Sequence, residues 1–169
     1  QRMNAPLLIL AVGKPSRGDD ALGPLLLERL HARGVGADGQ VELLTDFQLQ
    51  VEHTLDLQGR SAVLLIDAAR SGVVQGAHIA RLHPRPERPP PASHALDAPT
   101  LLGLALSLQG AAPPAWMLAI EGTAFGLGEG LSPQAQRHLE QAHRLALAWV
   151  GEQQACAGSA ALTSPAGAA

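Results

Sequence analysis

The sequence predicts an α/β fold: a single-domain three-layer sandwich in which a mostly parallel five-stranded sheet is flanked by helices. Three observations carry this expectation. Short, continuous apolar runs recur along the chain and are stopped by Gly, Pro or Asp, as strands buried on both faces should be. Segments with helical spacing of apolar residues fall between them. The 169 residues are 46% hydrophobic and 16% charged, enough length and apolar content for one sizeable core.

Taken in order, residues 6–12 form the first apolar run, ended by Gly13 and Pro15. From Asp20 to about Arg33, Leu22, Leu25, Leu26 and Leu30 repeat at helical spacing, and Gly34 stands where a helix C-terminus takes a left-handed residue. Residues 41–44 suggest a second strand and 49–58 a modest helix. Ala62 to Ile66 is another continuous apolar run, terminated by Asp67, and residues 76–82 read as a fourth strand. Proline locks φ and lacks an N–H, so the proline-rich stretch 84–91 is an exposed, semi-rigid loop. Residues 95–108 follow as a helix with Pro99 in its first turn. Residues 116–120 form the fifth strand, followed by a loop containing Gly122, Gly126, Gly128 and Gly130. Ser132-Pro133 opens the last helix as cap and first helical residue, and Leu139, Ala142, Leu145, Ala146 and Trp149 form its apolar stripe. The domain is expected over 1–154, with the Ala, Gly, Ser and Pro tail of 155–169 disordered.

Composition narrows the function classes. A net charge of −3 gives no basic stripe for nucleic acid. No apolar run approaches the roughly 20 residues of a membrane span. The segment Gln1-Arg2-Met3-Asn4 runs straight into a strand, so no signal peptide is expected. With Cys156 alone, no internal disulfide can form, and the expected setting is the reducing cytoplasm. The glycines of 13–18 match neither a dinucleotide fingerprint nor a P-loop, and there is no Gly-x-Ser-x-Gly elbow. Asp19 and Asp20 would also repel a phosphate from the start of the first helix.

In open parallel sheets, sites gather at the carboxyl ends of strands where the strand order reverses. Asp20 follows the first strand, Asp67 ends the third, and His94 precedes a helix. If strands one and three are neighbours, the two carboxylates share an edge that the long loop brings within reach of His94. Two carboxylates and an imidazole make a three-ligand set for a borderline divalent ion such as nickel or zinc. Ordinary roles compete with this reading. Asp20 and His94 would also serve as helix caps, with Asp19 the better cap of the pair, and Asp67 as a polar strand end.

Four blocks in order resemble the hydrogenase maturation proteases, endopeptidases that trim the large subunit of nickel-iron hydrogenases. They are LILAVGKPSRGDDALGP at 8–24, VLLIDAARSG at 63–72, SHALDAPTLLGLAL at 93–106 and AIEGTAFGLGEGLSPQAQ at 119–136. A fifth, TDFQLQVEHTLDL at 45–57, resembles the branch serving soluble, bidirectional hydrogenases. The resemblance implies that Asp20, Asp67 and His94 are the catalytic and metal-contacting residues. They would recognise nickel already loaded in the large-subunit precursor, from which a C-terminal peptide is then removed by a monomeric enzyme. The alternative implied by the same fold is a nickel-protein binding or chaperone module that cuts nothing. One departure stands out: Lys14, the chain's sole lysine, replaces the family's Asn, and Ala11 its first glycine. An ammonium donates only and adds positive charge. It would compete with a metal, hold a substrate carboxylate, or leave the site unchanged.

Overall fold

The computed structural model of the chain describes residues 4–86 and 96–163. Five strands, β1 (Leu7–Val12), β2 (Val41–Asp46), β3 (Ala62–Arg70), β4 (Ala77–Leu82) and β5 (Ala115–Gly122), form one sheet in the order β2-β1-β3-β5-β4. β1 pairs in parallel with β2 and β3, and β3 with β5, while β4 runs antiparallel to β5 at the edge. The helices are α1 (Leu22–Ala32), α2 (His53–Leu57), α3 (Ala98–Gln109) and α4 (Pro133–Thr163). This is the expected three-layer sandwich.

Strand periodicity explains why the apolar runs are continuous. Side chains alternate between faces, so β1 sends Leu7, Ile9 and Ala11 toward α1 and α4, and Leu8 and Leu10 toward α2 and α3. Both sets are buried, and each fully buried Leu or Ile contributes on the order of 2 kcal/mol. With only 2% aromatic residues, the core is aliphatic. Its largest rings are Trp116 and Trp149, packed edge to face with centroids 5.8 Å apart.

Several boundaries differ from expectation. A 3₁₀ turn over Gly18–Ala21 precedes α1, so Asp19 and Asp20 lie in that turn, and neither the turn nor α1 has a side-chain cap. The C-terminal signal does hold: Gly34 N–H donates to His31 and Val35 N–H to Leu30, a Schellman closure with Gly34 at φ +86°. α3 begins at Ala98, and its cap is Asp97, whose carboxylate accepts the Thr100 N–H at 2.9 Å. Ser132 caps α4 as expected, its hydroxyl accepting the Ala135 N–H. α4 then continues through Gly151 to Thr163, correcting the expectation of a disordered tail for 155–163. Ala155, Ala157, Ala160 and Ala161 are strong helix formers, and a solvated helix extends past a glycine at a cost of about 1 kcal/mol. Residues 164–169 and part of the proline-rich loop lie outside the described residues. Among the described residues, no helix is long and apolar enough to cross a membrane.

Candidate active site

β3 does not end at Asp67. It continues to Arg70, paired with β5 as far as Arg70↔Gly122. Its pairing with β1, however, stops at Ala11↔Ile66. Asp67 is therefore the first residue of β3 beyond β1's reach, beside the point where β1 leaves the sheet. The order β2-β1-β3 makes the carboxyl ends of β1 and β3 the topological switch point, where an open parallel sheet forms its crevice.

The departing chain is steered by glycine. Gly13 has φ +149°, and a Cβ there would meet the Asp20 carbonyl oxygen at 2.1 Å. This close approach folds the turn back, so that the Lys14 N–H donates to Asp20 Oδ2 at 2.7 Å. Gly23 serves the same packing from α1: its added Cβ would lie 2.9 Å from the Val12 carbonyl oxygen. Lys14 thus works here through its backbone, and its residue is exposed.

The structure brings Asp20 and Asp67 together in one cleft of about 460 Å³, with Phe47, Leu49 and Met117 among its apolar lining. Burial pushes the Asp67 carboxyl up to about 7, with the Asp20 charge as the second cause, while the Ala68 N–H acts in the opposite direction. A half-buried carboxyl beside a second one favours a proton or a cation between them. Two carboxylates supply hard, anionic oxygen donors to a divalent ion. His94 lies outside the described residues, and among those described no group of three His, Cys, Asp or Glu side chains is gathered for a metal.

Asp19, expected as the better helix cap, has a different task. It is fully buried and reaches across to the glycine-rich loop. Its Oδ2 accepts from the N–H groups of Thr123 (2.7 Å) and Ala124 (2.9 Å) and from the Ser132 hydroxyl (2.8 Å), and its Oδ1 from the Ser132 N–H (2.8 Å). Burial alone would raise its pKa, but these donors outweigh it and hold the carboxyl below its usual range. Asp19 thereby welds the 3₁₀ turn carrying Asp20 to the loop that opens α4.

Sequence reasoning missed three parts of the site. The cleft wall at Phe47–Leu49 depends on a loop path that apolar periodicity does not encode. The pairing of Asp46 with the buried His53 is long-range in role although short in sequence. The signal available for Gly13 was its place directly after a buried strand, where a chain often needs a conformation or approach that only glycine allows.

No protein-family model matches the chain, and no curated protein matches it by sequence. Solved structures do. The hydrogenase maturating endopeptidase HybD from Escherichia coli is 24% identical with a TM-score of 0.63, over 86% of this chain and 92% of that one. The [NiFe] hydrogenase maturation protease HycI from Thermococcus kodakarensis is 19% identical with a TM-score of 0.63, over 84% and 90%. HybD from the same archaeon is 18% identical with a TM-score of 0.58, over 85% and 97%. The β2-β1-β3-β5-β4 sandwich described above is thus the fold of the hydrogenase maturation proteases.

Proposed function

We propose that the chain is a hydrogenase maturation endopeptidase, which removes a C-terminal peptide from the nickel-loaded large-subunit precursor of a nickel-iron hydrogenase. The observation that carries the reading is the pairing of Asp20 and Asp67 in one cleft at the switch point of this fold. In this reading, Asp20, Asp67 and His94 engage the nickel that the substrate brings. Leu96, two residues after His94 in the sequence, lines the same cleft. The nickel belongs to the precursor and is written here as part of the substrate.

The chemistry assigned to the chain's own groups follows from their electrostatics. With a pKa near 7, Asp67 carries a proton for much of the time at neutral pH and gives it up when a cation arrives. Asp20, which lines the cleft, is held in place by the Lys14 N–H on its Oδ2. The apolar wall from Phe47, Leu49 and Met117 gives the precursor's C-terminal segment a surface to lie against. The reading includes a monomer working in the cytoplasm; the lone Cys156, which leaves no internal disulfide to form, supports the reducing compartment.

The test mixes purified protein with nickel-loaded and nickel-free precursor and follows the precursor's mass. Loss of the peptide from the loaded form alone is the expected result. Equal cleavage of both forms, or of neither, overturns the reading. Binding of the loaded precursor without any mass change would identify a docking module instead.

A further inference from the structure

Part of the wall of the cleft that holds the two aspartates comes from residues 47–49, at the start of the loop 47–52 that joins β2 to α2. Phe47 is 65% exposed and Leu49 is half-buried, yet both line the cleft. A large apolar side chain held toward solvent needs a backbone that is fixed by something else. The structure shows what fixes it. His53, at the far end of the loop, is 6% exposed and accepts the Gln50 N–H on Nδ1 at 2.8 Å. With Nδ1 an acceptor, the neutral ring carries its hydrogen on Nε2, which donates to Asp46 Oδ2 at 3.1 Å. The other oxygen, Asp46 Oδ1, accepts the Phe47 N–H at 2.7 Å, and the Asp46 carbonyl accepts the Gly13 N–H at 3.1 Å. One side-chain pair therefore closes the loop across its two ends, fixes Phe47, and ties both to the glycine that sets Asp20.

We propose that His53 and Asp46 are positioning residues for substrate binding: a latch that holds the Phe47–Leu49 wall beside the aspartates for an apolar side chain of the peptide being cut. The latch touches neither aspartate side chain, so its loss falls on the capture of substrate and not on the chemical step. The kinetic half of this assignment rests on the peptide-cleavage reading above, and the structural half stands without it.

The test separates the two bonds of the imidazole. In His53→Asn, the side-chain oxygen occupies the place of Nδ1 and keeps the bond to Gln50 while losing Asp46. In His53→Gln, the longer amide reaches Asp46 while the Gln50 bond is lost. Nitrogen-resolved NMR of the wild type is expected to show the Nε2–H tautomer at His53. Hydrogen exchange in both variants should quicken about tenfold or more at residues 47–52, with β1 still protected. With nickel-loaded precursor, KM should rise about tenfold in each variant and kcat stay within about twofold. The Nδ1–H tautomer, unchanged exchange at 47–52, or faster exchange spread evenly over the whole chain overturns the latch. A loss confined to kcat overturns its assignment to substrate capture. If wild-type protein cleaves no precursor, the peptide-cleavage reading fails, and the tautomer and exchange results still decide whether the latch exists.

Discussion

Asp19 and Asp67 are both carboxylates withdrawn from water, and the structure treats them in opposite ways. Around Asp19, backbone and hydroxyl donors of Thr123, Ala124 and Ser132 converge, and its pKa falls below the usual value. At Asp67, burial and the Asp20 charge outweigh the Ala68 N–H, and the pKa rises to about 7. Burial pushes both the same way; the donors decide the outcome. Asp19 is an anchor whose charge is fully answered by the fold. Asp67 sits among interactions that disfavour its charge.

The largest expected effect tests the anchor. Asp19→Ala leaves the Thr123, Ala124 and Ser132 N–H groups without their shared acceptor, at a cost of about 3 kcal/mol or more. Urea titration followed by circular dichroism measures it, and a loss under 1 kcal/mol would show that the glycine-rich loop does not depend on this residue. The sign with pH follows from the lowered pKa: Asp19's contribution is present above the unfolded value of 3.8 and is lost as pH falls through the folded one.

Gly13→Ala comes next. It sets a Cβ against the Asp20 carbonyl at a φ disfavoured for alanine, and a loss of about 2 kcal/mol is expected together with poorer processing. A crystal structure or amide chemical shifts at Lys14 and Asp20 would reveal whether the turn has moved; no shift there would remove Gly13 from its assigned part.

Asp67→Asn sharpens the contrast because stability and activity should move apart. The folded state holds the Asp67 proton more tightly than the unfolded chain, so the wild type loses stability as pH rises from 3.8 to about 7. The neutral amide escapes that loss. At pH 8 the variant should melt several degrees higher than wild type while precursor processing disappears. A lower melting temperature at pH 8 would refute the opposition between the two aspartates. If Asp67 meets the substrate's nickel as proposed, the wild type's affinity for loaded precursor should weaken below about pH 7, as a proton competes for the same carboxylate.

The smallest effect belongs to Lys14. Its bond to Asp20 comes from the backbone, so Lys14→Ala and Lys14→Asn should each alter stability by less than about 0.5 kcal/mol. Thermal melts of the two variants check this. A larger change would mean that the ammonium itself acts within the fold.

Much of this architecture was legible because its causes are local. The runs that became β1 and the first part of β3, the glycine closing α1 and the Ser132-Pro133 start of α4 each depend on a few adjacent residues. Asp20 and Asp67 were legible through topology, once strands one and three were taken as neighbours. What stayed hidden arises from contacts across the chain. The donors that claim Asp19 lie more than 100 residues away. The cap of α3 falls to Asp97 because it directly precedes the helix's first residue, Ala98, and its carboxylate reaches the Thr100 N–H. The extension of β3 past Asp67 reflects pairing with β5, which no property of residues 68–70 announces. The latch at His53 required knowing that Asp46 ends its strand facing the loop.

The offset at which β1 stops and β3 runs on has a mechanical consequence. Asp67 rides on a strand still laddered to β5 on one side, so its carboxylate has little freedom to travel. Asp20 rides on a single 3₁₀ turn, anchored behind by Asp19 and packed closely against Gly13. The two sides of the cleft are therefore held by different means, one by a backbone ladder and the other by a buried side chain, and the gap between the carboxylates depends on both.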